Sequence, residues 1–174
     1  AVQDIDTAML QAQLVADGQV LEWTGPKRVA ASGIDVKSLP GIVIDEESAD
    51  RIGFDSSSAQ ISPFVGIGYR HDSNDGKGLQ TAMFRATIPA DGDYRIGMVY
   101  STNSNRATNV PVTLTQGDLT KSFQVNQQKK STKDAFEGLG TVRLSAGNVV
   151  ITVSNKNTDG YVILDAVQLL PITP

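Results

Sequence analysis

A chain of 174 residues with 40% apolar and 20% charged side chains holds enough hydrophobic material for a buried core and lies outside the composition of disordered proteins. Its net charge of −4, with Lys129, Lys130 and Lys133 as the densest cations, argues against a nucleic-acid partner. The absence of cysteine removes disulfides, thiolate zinc sites and cysteine nucleophiles, and no apolar run of about 18 residues offers a transmembrane helix.

The chain opens at Ala1-Val2-Gln3 with neither Met nor a charged-then-apolar leader, and reads as a processed protein or a piece of a longer one. Asp6 can cap a short helix in which Met9, Leu10, Leu14 and Val15 recur at helical spacing and which Asp17-Gly18 closes. Such a stripe needs a surface to bury against, either the domain that follows or Trp23. Residues 18–41, punctuated by Gly18, Gly25-Pro26, Gly33 and Pro40-Gly41, read as a connector or wrapped arm. The expected division is therefore an N-terminal helix and arm over 1–41 and a second domain over 42–174.

From Ile42 onward the period changes to two. Ile42-Val43-Ile44 and Arg51-Ile52-Gly53-Phe54 begin it, and Ala82, Phe84, Ala86 and Ile88 then alternate with Thr81, Met83, Arg85 and Thr87. Beyond the turn Pro89-Ala90-Asp91-Gly92 come Tyr94, Ile96, Met98 and Tyr100, then Val110, Val112 and Leu114, then Phe123 and Val125. Leu139, Val142 and Leu144 precede the turn Ser145-Ala146-Gly147-Asn148. Val149–Val153 is nearly continuous, as a central strand would be, and Val162–Leu170 is apolar on both faces. About eight short strands with turns every ten or so residues predict an all-β, antiparallel jelly-roll sandwich.

Four collinear segments stand out: Gly66-Ile67-Gly68-Tyr69-Arg70-His71-Asp72 with Gly76-Lys77-Gly78; Ala90-Asp91-Gly92-Asp93-Tyr94; Asn105-Arg106-Ala107-Thr108-Asn109-Val110-Pro111-Val112; and Thr158-Asp159-Gly160-Tyr161-Val162 with Leu164-Asp165-Ala166-Val167. Together with Val125-Asn126-Gln127-Gln128 they resemble the golvesin C-terminal domain, the carbohydrate-binding-like domain also found at the C-terminus of xanthan lyases, and the resemblance spans about residues 42–171. It implies a galactose-binding-like sandwich and a non-catalytic module on a larger secreted or periplasmic bacterial protein. The partner would be a polysaccharide or, alternatively, the parent catalytic domain. Residues 1–41 are similar to the connector preceding such domains in bacterial proteins described as FAD-dependent oxidoreductases. No flavin site is expected in this chain, because Gly66-Ile67-Gly68 lacks the third glycine and following helix of a dinucleotide fingerprint.

Other chemistries meet specific obstacles. His71 is the sole histidine that could serve a serine nucleophile, and no G-x-S-x-G elbow accompanies it. Glu46 and Glu47 are adjacent, so on a strand they would face opposite ways, unlike a glycosidase pair. Asp72-Ser73-Asn74-Asp75-Gly76 invites structural calcium at Asp72 and Asp75, but it departs from the EF-hand pattern and reads first as a turn-rich loop. No cofactor is required.

Two expectations concern loop and core. Asp165 shares a strand face with Ile163, Val167 and Leu169, so its carboxylate should be buried and need a partner, for which Arg106 in the Asn-rich loop would supply a bidentate pair. Sugar binding would draw on Tyr69, His71, Asn103, Asn105, Arg106 and Tyr161, rings for C–H stacking with planar polar groups beside them.

Overall fold

A computed structural model describes residues 14–16, 19–21, 33–129 and 135–172. The chain separates into two compact units, residues 1–30 and 31–174. In the first, β1 (Leu14–Ala16) pairs antiparallel with β2 (Gln19–Leu21), setting Leu14 opposite Leu21 and Val15 opposite Val20. This corrects the expected helix at Leu14 and Val15. Leu-Val and Val-Leu runs either side of Asp-Gly carry the sequence signal of a two-residue hairpin, and β-branched valines favour the pleated backbone. Asp6, Met9, Leu10, Trp23 and Gly25-Pro26 lie outside the described residues.

The second unit holds β3 (Ile42–Asp45), β4 (Asp50–Ile52), β5 (Ser56–Ser58), β6 (Tyr69–His71), β7 (Thr81–Ile88), β8 (Gly92–Met98), β9 (Val110–Gln116), β10 (Leu119–Val125), β11 (Glu137–Leu144), β12 (Gly147–Ser154), β13 (Ile163–Leu164) and β14 (Ala166–Pro171). They form antiparallel sheets in the orders β10-β9-β12-β7-β4, β11-β8-β14-β3 and β13-β6-β5. Register places Phe84, Ile151 and Leu114 in one row across the first sheet, and Ile42, Leu169 and Ile96 in one row across the second. Apart from the half-buried Ile42 these are buried, and both rows contribute to one core. Alternation along β7, β9 and β12 thus buries one face of each strand, as the period of two requires.

β14 is buried on both faces for a different reason. Its outer side, with Val65, Val99 and Ala166, is covered by Ile34, Val36 and Leu39 of the segment preceding β3. Ile34 bridges to the Phe64–Gly66 strip through Ile34 N–H to the Phe64 carbonyl and Gly66 N–H to the Ile34 carbonyl, both 2.9 Å. The Gln168 amide reaches the Pro40 carbonyl at 2.8 Å. Residues 33–41 therefore form a wrapped arm.

Candidate functional site

The third sheet is short because its strands, Ser56–Ser58, Tyr69–His71 and Ile163–Leu164, tie loops together rather than span the core. Around it gather the Asn103–Asn109 loop, the Asp72–Gln80 loop and the Asn155–Val162 loop. The Asn103–Asn109 and Asn155–Val162 loops clasp directly. Tyr161 N–H donates to the Asn105 carbonyl at 3.0 Å, Ala107 N–H donates to the Tyr161 carbonyl at 2.8 Å, and Thr108 donates its N–H and hydroxyl to the Asp159 carboxylate. A side chain at Gly160 would meet the Arg106 carbonyl carbon at 2.7 Å, so this approach demands glycine. The Thr108 donors hold the exposed Asp159 carboxyl below its usual range.

Arg106 is buried beneath this clasp and does not pair with Asp165. Its Nε donates to the Ser101 carbonyl at 3.1 Å, Nη2 to Ser101 Oγ at 3.3 Å and Nη1 to Asn105 Oδ1 at 3.0 Å, while the guanidinium carbon stands 6.0 Å from the Tyr69 ring centroid. Asp165 is fully buried as expected, but among the described residues its only donor is Val65 N–H at 3.0 Å, and Oδ2 has no partner. Burial, above all, with Asp45 nearby, pushes its carboxyl up to about 8. The expected ion pair is thus replaced by a proton: a neutral carboxylic acid needs no counter-cation, and the arginine fork is already spent on loop oxygens.

Glu46 shares this corner. It lies in a 3-10 turn, Glu46–Ser48, capped by Asp45 rather than on a strand, and is buried while Glu47 is exposed and ion-paired with Arg70 at 3.1 Å. Burial first, then the Asp45 carboxyl, push Glu46 up to about 9. Glu46 Oε2 and Asp45 Oδ2 likewise lack donors among the described residues.

Asp72 has the opposite surroundings. One oxygen accepts from Asn74 N–H and Val162 N–H, each 2.9 Å; the other accepts from Lys77 Nζ at 2.8 Å and Asn155 Nδ2 at 3.2 Å. Lys77 also donates to Thr158 Oγ1 at 3.0 Å and to the Gly160 carbonyl at 2.6 Å. A lysine ammonium therefore supplies the positive charge that the calcium reading assigned to a metal at Asp72. Asp75 directs Oδ1 to Gly76 N–H at 2.7 Å. Among the described residues no group of three or more His, Asp or Glu side chains is placed to hold a metal ion.

Of the residues proposed for ligand binding, Tyr69 and Arg106 are turned inward, at 2% and 6% exposure, and serve as support. His71 and Tyr161 are half-buried with ring centroids 5.9 Å apart in an edge-on contact, and Asn103 and Asn105 are exposed on the loop whose Asn105 carbonyl accepts Tyr161 N–H. His71 Nδ1 accepts Ser73 N–H at 3.2 Å. Burial, then the Arg106 charge, hold the imidazole below its ordinary value against the pull of Asp72. Among the described residues no carboxylate hydrogen-bonds this ring.

Sequence reasoning overlooked Asn155, Gln80 and Gln127. Asn155 accepts Gly78 and Gln80 N–H and donates to Asp72, and Gln127 matches Ile163 like a strand, with its amide accepting Ile163 N–H and donating to the Ile163 carbonyl at 2.8 Å each. Only the place of Gln127 in a segment shared with the family hinted at this.

The family model described as the golvesin C-terminal domain matches residues 42–171. Xanthan lyase from Bacillus sp. (strain GL1) is 28% identical over 141 residues, covering 77% of this chain and 15% of that protein. The solved Paenibacillus xanthan lyase superposes with a TM-score of 0.69 at 32% identity, over 75% of this chain and 13% of that one. CBM35 from Cellvibrio japonicus Abf62 has a TM-score of 0.53 at 14% identity, covering 76% of this chain and 94% of that one, a likeness of fold alone. The chain thus spans a small fraction of the xanthan lyases it resembles.

Proposed function

Because the chain belongs to the golvesin C-terminal domain family, we propose that it is a non-catalytic carbohydrate-binding module of a larger secreted or periplasmic bacterial protein, with a polysaccharide as ligand. What supports this reading is the rim formed by the His71–Tyr161 ring contact at the surface, with the exposed Asn103 and Asn105 on the loop whose Asn105 carbonyl accepts Tyr161 N–H. Sugar rings stack their C–H faces on aromatic rings and exchange hydrogen bonds with amides, which this rim supplies. Arg106 and Tyr69 support it from below, and the clasp to Asp159 fixes Tyr161 before any ligand arrives, lowering the ordering cost of binding. Affinity electrophoresis through gels containing soluble polysaccharides tests it. Retardation that disappears in Tyr161→Ala and His71→Ala is the expected result, and free migration through a broad panel contradicts it.

A second reading has its own support. The chain matches about one-seventh of xanthan lyase, and its polar loop groups are largely consumed by one another, as suits a domain that only packs on a parent enzyme. Parent activity and stability unchanged by Tyr161→Ala, together with unretarded migration, would favour it.

A further inference from the structure

A cleft of about 380 Å³ shares His71 with that rim and is lined by Asp55, Ser56, Ser73, Asp75 and Leu79 among others. Its walls come from two loops held in an unusual backbone geometry. Phe54 adopts φ 56°, Ser73 φ 54° and Asn74 φ 57°, a left-handed region that bulky L-residues avoid unless their surroundings impose it. Gln80 imposes it on both sides: its Oε1 accepts Phe54 N–H at 2.7 Å, and its Nε2 donates to the Asp72 and Asp75 carbonyls at 3.1 and 2.9 Å. Ser56 Oγ and Ser73 Oγ meet at 2.8 Å between the walls. Side-chain hydrogen bonds thus tie the two walls of the cleft to each other.

Its chemistry is one-sided. Asp55, Asp72 and Asp75 line it and neither Lys nor Arg does. The neighbouring Lys77 ammonium is already divided among Asp72, Thr158 and Gly160. Among the described residues the Asp55 carboxylate makes no hydrogen bond or ion pair, and Leu79 is 75% exposed at the same cleft. Asp72 is neutralised by Lys77, but an anionic ligand would still meet the Asp55 and Asp75 carboxylates with neither Lys nor Arg lining the cleft, whereas hydroxyl groups would donate to Asp55 and Asp75, accept from the serines, and lay a C–H face on Leu79. We propose that this cleft is a subsite for uncharged polysaccharide residues, so that the module selects neutral glycans over acidic ones; the proposal rests on the glycan-binding reading above and sharpens it.

The test is affinity electrophoresis and calorimetry of the full chain with galactomannan, dextran and mixed-linkage β-glucan against xanthan and polygalacturonate. Asp55→Ala, Leu79→Ala and Tyr161→Ala are compared, each checked for unchanged thermal unfolding. The expected result is binding to at least one neutral polysaccharide, weakened about tenfold or more by Asp55→Ala and by Leu79→Ala. Neutral-glycan binding untouched by both cleft variants yet lost in Tyr161→Ala overturns the cleft and keeps the module reading. Binding confined to the two acidic polysaccharides overturns the proposed selectivity, and no binding to any of the five overturns the proposal together with the reading beneath it.

Discussion

Two buried aspartates, Asp72 and Asp165, show how differently one fold can accommodate a carboxyl group. Asp72 receives four N–H donors, one of them the Lys77 ammonium, and joins three loops. Asp165 receives one backbone N–H on Oδ1 and stands near Asp45 and Glu46, and among the described residues no donor reaches its Oδ2. The first corner is an ion pair that organises the loop rim. In the second, burial raises the carboxyls of Asp165, between β13 and β14, and of Glu46, after β3, so that they are kept inside by protonation.

Substitutions separate the two corners by size and by sign. Asp72→Ala strands Val162 N–H, Asn155 and Lys77, and is expected to cost about 3–5 kcal/mol in urea unfolding, the largest effect of any single change proposed here. A cost below about 1 kcal/mol would show that the loop network is not cooperative. Gln127→Leu leaves both backbone groups of Ile163 without partners in a dry interior and should cost about 3 kcal/mol by the same measurement.

The acid corner should answer to pH instead. Glu46 and Asp165 are raised in the folded protein, to about 9 and about 8, so the unfolded chain gives up these protons first as pH rises. Their contribution to stability is fully present below the ordinary carboxylate range, declines from about pH 5, and is gone once both have ionised in the folded state. Unfolding free energy is expected to fall by several kcal/mol between pH 5 and pH 9, and Asp165→Asn should flatten that slope while leaving the pH 5 value nearly unchanged. A steeper loss in Asp165→Asn would mean that the carboxylate is ionised and paired after all. The smallest effect belongs to the exposed clasp: Thr108→Val removes one donor to Asp159 and should lower the urea midpoint only slightly.

The sandwich was legible because burial of one face imposes a period of two, and Phe84, Ile151 and Leu114 follow it strand by strand. Ser56–Ser58 was not, since serines carry no apolar alternation and this strand exists through its pairing with β6. Leu14 and Val15 misled because a short apolar run fits a helix turn as readily as a hairpin, and the Asp17-Gly18 that reads as a helix stop reads equally as a hairpin turn. Burial of both Arg106 and Asp165 was readable, but their pairing was not. Sequence does not reveal whether a buried carboxyl finds a cation or keeps its proton, because that depends on which loop oxygens reach the arginine first. The Lys77, Gln80 and Asn155 network escaped notice for the related reason that its members are ordinary surface residue types whose role comes from loops brought together over some 80 positions of sequence.

The most direct test of the claim that the rim and cleft meet a glycan is a nuclear magnetic resonance titration of the isotopically labelled chain with neutral oligosaccharides. Amide shifts should move at residues 53–56, 71–79, 103–105 and 161 and stay still along β9, β10 and β12. Shifts spread over those strand faces, or none at saturating sugar, would contradict it.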